Sequence, residues 1–293
     1  MHSNMEGLIV VNEFHNGDLF YSRIFLNMIE GKFKIKLYHD CRQPLFCDLP
    51  NVEEVVGNFR GHHQPPTWNP EPDFSKYPPI CTWIGQENMK YYFSVNHGCS
   101  YENHFALCKS LAQKLGIEVE DDMNKYIPYV NYDLLPNIDS IKSKMAEFQK
   151  HYSKIVLISN GIVNSAQSVN FDFTPILKTL AVLKPHVLFL TTEECGQINP
   201  NVVCTSTITE VIPDLLQISY ISTLCDVIIG RASGPFCFCH NKDNMLNPNK
   251  TFISFSNNIY EGVFYQNQKS KYFWTNNSDQ TSILSFIHNT NSI

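Results

Sequence analysis

Two short loops concentrate the residues able to do chemistry. Gly230-Arg231-Ala232-Ser233-Gly234-Pro235 interrupts the apolar run Val227-Ile228-Ile229 with two glycines, a hydroxyl, a guanidinium and a proline. Glycines leave backbone amides accessible, and a fixed cation beside them suits a phosphate. An arginine directly after a buried strand is costly without an anionic partner. Arg231 is therefore expected either to neutralise a diphosphate or to form a structural salt bridge with Asp226 or Asp214. The second loop, Glu13-Phe14-His15-Asn16-Gly17-Asp18, ends one apolar segment and opens another. The carboxylate of Asp18 can take a proton from a hydroxyl. Aspartate is also a common helix cap, and that plainer role stays open. Glu13 and His15 are reserve bases in the same turn, although a lone histidine there is more often just solvated.

Other polar clusters carry less. Ser159 to Ser168 is rich in hydroxyls and amides, and such a loop can cradle a diphosphate or be an ordinary connection. Glu194 ends a strand, where a carboxylate can bond a ribose hydroxyl or simply face solvent. Cys237-Phe238-Cys239-His240 contains zinc-type ligands but lacks a second ligand pair at the required spacing, so inward-packed thiols sharing one face are expected. The neighbours His62 and His63 make no metal site by themselves. No Asp-x-Asp stands at a strand end to hold a divalent ion, and no metal or other cofactor is expected.

These residues need a scaffold. Apolar runs predict strands at Gly7–Asn12, Phe33–Tyr38, Lys154–Ser159, His186–Thr191, Val202–Cys204, Val227–Ile229 and Lys250–Ser254, with a further strand at Tyr91–Val95. Helical spacing predicts helices over Leu19–Met28, Asn103–Leu115 (stopped by Gly116), Ile138–Tyr152, Thr174–Leu183 and from Asp214. His39 to Pro79, rich in proline, asparagine and aromatics, reads as irregular. Trp68, Tyr77, Trp83, Tyr91 and Tyr92 gather in this region, as sugar-stacking faces or as packing under a long loop. Alternating strands and helices imply parallel sheets. With 293 residues, about two domains are expected, divided as 1–140 and 141–293. A net charge of −6 gives no reason to expect nucleic acid. No apolar run approaches a membrane span, the start lacks signal-peptide character, and ten cysteines are too sparse for a disulfide scaffold. A cytoplasmic protein is expected.

The chain resembles glycosyltransferases of the GT-B fold, closest in pattern to the heptosyltransferase-like family. The matching motifs are Val10-Val11-Asn12-Glu13-Phe14-His15-Asn16-Gly17-Asp18, like the family's strand, Gly-Asp turn and helix, and Arg231-Ala232-Ser233-Gly234-Pro235, like its Asp-Ser-Gly-Pro loop. The similarity touches both ends of the chain in order, while the middle of the N-terminal half matches no motif. Ala232 stands where the family has aspartate, so one donor contact is missing. The resemblance implies an α/β fold of two Rossmann-like domains facing each other across a cleft. It implies a metal-independent, inverting transfer from a nucleotide-sugar donor to a glycan or other hydroxyl acceptor, with Asp18 as base. Asn160, Gly161, Asn164, Ser165, Gln167, Glu194, Arg231, Ser233 and Gly234 are the expected donor contacts, and His15, Asn16 and Trp68 the expected acceptor contacts. An epimerase-like enzyme acting on free nucleotide sugars and a non-catalytic sugar- or nucleotide-binding protein are the rival readings.

Overall fold

The computed structural model describes residues 7–12, 15–39, 41, 43–57, 79–84, 100–164, 167–209, 214–257, 265 and 267–293. They belong to two compact units, Met1–Leu135 and Pro136–Ile293.

The first unit runs β1 (Gly7–Asn12), α1 (Asn16–Met28), β2 (Lys34–His39), β3 (Val52–Val56), β4 (Ile80–Cys81) and α2 (Tyr101–Lys114). Its strands are parallel in the order β3-β2-β1-β4. Side chains alternate across a strand, so Ile9, Val11, Tyr38 and Val55 form one apolar face of the sheet. Helix α1 is buried along most of its length and packs against α2. The two terminal nitrogens of its interior arginine, Arg23, form a bidentate pair with Asp48 at 2.9 and 2.6 Å and also bond the carbonyls of Tyr129 and Leu45. Removing one partner of such a buried pair costs about 3–5 kcal/mol, so the contact fixes α1 against the segments around it. Gly116 ends α2 as expected. At φ +73° it lets its own N–H reach Gln113 O at 2.9 Å and that of Ile117 reach Ala112 O at 3.1 Å, which satisfies two terminal carbonyls.

The second unit runs α3 (Ile138–His151), β5 (Lys154–Ser159), α4 (Thr174–Leu183), β6 (Val187–Thr191), β7 (Val202–Cys204), α5 (Asp214–Thr223), β8 (Val227–Arg231), α6 (Gly234–Phe238), α7 (Lys242–Met245), β9 (Thr251–Phe255), β10 (Lys271–Thr275) and α8 (Gln280–Asn289). The six strands are parallel in the order β7-β6-β5-β8-β9-β10. Counted from the unit's own first strand this is the doubly wound Rossmann order, which reverses between β5 and β8. Val156 and Ile158 join α4 and α8 on one face, whereas Ile155 and Leu157 join α3 and α5 on the other. Covering both faces explains why the central strands read as unbroken apolar runs. Lys250 is buried at the C-terminal end of α5, donating to Ser222 O at 2.9 Å, Thr223 O at 3.1 Å and Cys225 O. Its charge suits the negative end of that helix.

Several expectations are corrected. A strand, β3, lies inside the segment read as irregular; only one of its five residues is buried, so it carries no apolar run. Helix α1 starts three residues earlier than the apolar pattern suggested, and β8 continues through Gly230 and Arg231. β10 and α8 were not anticipated. Cys237 and Cys239 do not share a face, because they sit on and just after the short helix α6: Cys239 is buried and Cys237 half-buried. Among the described residues no group of histidines, cysteines and carboxylates is arranged to hold a metal, and no helix is long and apolar enough to cross a membrane. The expected strand Tyr91–Val95 lies outside the described residues, as do Glu13, His62, His63, Trp68, Tyr77, Tyr91, Tyr92 and Ser165.

Candidate functional site

Each sheet changes winding direction at one place, between β1 and β4 in the first unit and between β5 and β8 in the second. Open parallel sheets bind ligands in the crevice at the carboxyl ends of such strand pairs. Asp18 follows β1 at the first of these places, and Arg231, Ser233 and Gly234 end and follow β8 at the second.

In the first unit the strand ends converge on a polar triangle inside the fold. Asn12 Nδ2 donates to Ser22 Oγ at 3.0 Å and to Thr82 Oγ1 at 3.3 Å, and the two hydroxyls are 2.7 Å apart. All three residues are buried, and Asn12 and Ser22 also point at the backbone carbonyl of Asp18, each at 3.4 Å. Buried polar groups are costly unless bonded, so the triangle ties the end of β1, the residue after β4 and the first turns of α1 into one arrangement. Neither Asn12, Ser22 nor Thr82 was picked out from sequence; the available signal was an amide ending an otherwise apolar strand.

Asp18 is not the helix cap. His15 holds that position, accepting Leu19 N–H at 3.0 Å with its backbone oxygen, and Asp18 is the third residue of α1. Among the described residues no side chain pairs with its carboxyl, and burial pushes it up from 3.8 to about 7 against the opposing pull of its own backbone N–H. A carboxyl that titrates near neutrality is able to take up a proton as a general base does. Beside it, Asn16 Oδ1 accepts the Cys41 thiol at 2.6 Å, and His15 is half-buried.

In the second unit Arg231 is 2 % exposed, and its hydrogen-bond partners among the described residues are all backbone carbonyls. Nε reaches Gly161 O at 3.1 Å, one terminal nitrogen reaches Gly161 O at 2.7 Å and also Asn160 O, and the other reaches Phe171 O. The guanidinium also lies over the rings of Phe171 and Phe173, 5.1 and 5.0 Å from their centroids. The alternative, a salt bridge to Asp226, is not formed: that carboxylate accepts Ile155 N–H at 2.8 Å instead. Burial pulls the guanidinium below its ordinary value, and the exposed Asp172 carboxylate opposes this from a distance.

The glycine before Arg231 serves packing. A Cβ on Gly230 would stand 2.5 Å from Phe236 Cδ2 and 2.8 Å from Ser159 Cβ, so β8, β5 and α6 meet there with no room for a side chain. Ser159 and Ser233 face one another with hydroxyl oxygens 3.3 Å apart, and Gly234 opens α6. Ala232, at the position where the sequence resemblance leads one to expect aspartate, is buried and donates its N–H to Phe255 O at 3.1 Å. The amide of Asn160 is consumed by the loop after β6, accepting Glu193 N–H at 2.9 Å and donating to Glu193 O at 3.0 Å. Asn170, which sequence reasoning passed over, closes the loop after β5 by pairing with both the N–H and the C=O of Val163 at 2.8 Å. Asn164 is exposed, Gln167 accepts Asn257 N–H at 2.8 Å with its backbone oxygen, and Glu194 is exposed and bonded to Ser206 at 3.0 Å. Asn160, Gly161, Arg231, Ser233 and Gly234 are thus gathered around the β5–β8 switch point, while Glu194 stands apart on the loop after β6.

No family model and no curated protein matches this sequence. Among solved structures the chain is similar to the glycosyl transferase family 9 from Veillonella parvula DSM 2008, at 12% identity with a TM-score of 0.54, over 100% of this chain and 93% of that one. It is less similar to the E. coli ADP-heptose lps heptosyltransferase II, at 12% identity and a TM-score of 0.45, over 96% of this chain and 98% of that one. The resemblance read from the sequence is met at the level of architecture: this chain has the fold of the family 9 glycosyl transferase.

Proposed function

We propose that the chain is a glycosyltransferase moving a sugar from a nucleotide-diphosphate donor to an acceptor hydroxyl, with inversion and without a metal ion. The observation that carries this reading is the Asp18 carboxyl, raised to about 7 by burial at the switch point of its sheet and paired with no side chain among the described residues. In the proposed reaction Asp18 takes the acceptor proton as the hydroxyl oxygen attacks the anomeric carbon. The bond to the diphosphate oxygen breaks on the opposite face, and the leaving group departs with the electron pair. Ser233 and the backbone around Gly161 and Gly234 would receive its charge. The GT-B arrangement belongs to the same proposal, with residues 1–140 on the acceptor side, 141–293 on the donor side and a cleft between them, as does a cytoplasmic setting.

A panel of nucleotide sugars is incubated with hydroxyl acceptors and the products are read by mass spectrometry and anomeric NMR. Asp18→Asn is expected to lower turnover by about 10²–10⁴-fold while donor binding, read by thermal shift, stays within twofold. Turnover within tenfold of the parent removes Asp18 as the base, and a product of retained configuration removes inversion.

A further inference from the structure

Arg231 raises a question of polarity. A buried guanidinium normally meets a carboxylate, yet this one is held by the carbonyl oxygens of Asn160, Gly161 and Phe171. A trans peptide holds its C=O and N–H on opposite sides. With the Asn160 and Gly161 carbonyls turned onto the guanidinium, the N–H groups sharing those peptides, on Gly161 and Ile162, are aimed away from it. Neither has an acceptor among the described residues, whereas the next N–H, on Val163, is taken by Asn170. The segment lies at the surface, with Ile162 75 % exposed. Two successive N–H groups pointing outward, with a buried cation behind their carbonyls, form an anion seat. One nearby negative side chain is the exposed Glu193, whose Oε1 lies 3.5 Å from where a Gly161 Cβ would be; Asp172 acts on the Arg231 side.

We propose that the Gly161 and Ile162 N–H groups seat a phosphate oxyanion, and that Arg231 is the positioning residue that turns them outward without touching the ligand. This deepens the donor site of the transferase reading and rests on that reading only for the identity of the natural ligand. It reassigns Arg231 from a diphosphate contact to the support beneath one. Arginine is suited to this because its planar fork spans several carbonyls at once, while a lysine ammonium supplies the same charge at a single point.

The test is a titration of the ¹⁵N-labelled full chain with inorganic pyrophosphate, followed by amide NMR. The Gly161 and Ile162 amide signals are expected to move together and saturate. Arg231→Lys keeps the charge and is expected to weaken pyrophosphate binding at least about tenfold. Glu193→Gln, at an exposed side chain that leaves the fold untouched, is expected to tighten it about fivefold by removing a facing charge. No saturable movement at Gly161 and Ile162 overturns the seat. Arg231→Lys within twofold of the parent, with its spectrum otherwise native, overturns the polarity role. Should that variant not fold, Glu193→Gln decides: unchanged affinity counts against the seat. Pyrophosphate binding here without any sugar transfer leaves the seat standing and removes the transferase reading; transfer without these shifts does the reverse.

Discussion

Replacing Asp18 by Asn should stabilise the protein increasingly as pH rises from about 4 to about 7. The native carboxyl titrates at about 7 because burial disfavours its charged form, whereas an unfolded chain gives it its ordinary 3.8. Between those values the folded state holds a proton that the unfolded state has released, so this residue's contribution is full below 3.8 and is lost as pH rises through 7. At about 1.4 kcal/mol per pH unit the interval corresponds to about 4 kcal/mol. Asp18 keeps part of its surface accessible, and water there reduces the expected effect to about 2 kcal/mol. Asparagine has the same shape and never ionises. The difference between Asp18→Asn and the parent should therefore be near zero at pH 4, grow to about 2 kcal/mol by pH 8 and then level off. Urea titrations at a series of pH values, read by hydrogen–deuterium exchange of the Asn16–Met28 helix, isolate the unit that carries the substitution. A difference that does not change with pH would refute the argument. So would a parent that gains on the variant at high pH, since that result would mean the helix N-terminus stabilises the charged carboxylate more than burial penalises it.

The remaining predictions use the same logic elsewhere. Asn12→Asp sets a second carboxyl beside the first turn of α1 and should move the acid limb of any rate–pH profile up by about one pH unit; an unmoved limb in a folded variant would separate the triangle from Asp18. Gly230→Ala forces a methyl against Phe236 and Ser159 and should cost about 1–3 kcal/mol in denaturant unfolding, with a loss under about 0.5 kcal/mol showing that the contact relaxes freely. Lys250→Met leaves three carbonyls near the end of α5 without their donor and should cost about 3 kcal/mol; a neutral result would mean water replaces the ammonium. His240 is buried between Phe236 and Phe252, and burial pulls it down from 6.5 to about 3. The unfolded chain therefore binds a proton that the fold excludes, and stability should drop as pH falls below 6.5, by at most about 4–5 kcal/mol, with His240→Phe flattening that limb.

What could be read from sequence follows from where the information lies. Lys154–Ser159 and Thr174–Leu183 fold as the strand and helix expected of them, because a strand covered on both faces and a helix covered on one write their burial into apolar spacing. Val52–Val56 carries two glutamates and buries one residue, so burial leaves almost no trace in it. The start of α1 was misplaced for a related reason: His15 caps through its backbone and offers no side-chain signature. Arg231 shows the deeper limit. Its type and position announced a buried cation that required partners, but those partners are main-chain oxygens brought in by the loop after β5, and backbone atoms look the same in every sequence. The triangle of Asn12, Ser22 and Thr82 was hidden likewise, since Thr82 is 70 residues from Asn12 and only the β1–β4 pairing brings them together.

Parallel pairing also has a consequence for how the chain is made. β5 sits at the centre of its sheet, yet no neighbour follows it directly: β6 comes about 30 residues later, and β8, which sets Gly230 opposite Ser159, about 70 residues later. At roughly 5–20 residues per second, a ribosome leaves one edge of Ile155-Val156-Leu157-Ile158 uncovered for roughly 4 to 14 s. An apolar strand with an open edge is a template for pairing with other chains. The strand that organises the folded second unit is thus the interior strand of that unit that waits longest with an edge open during synthesis.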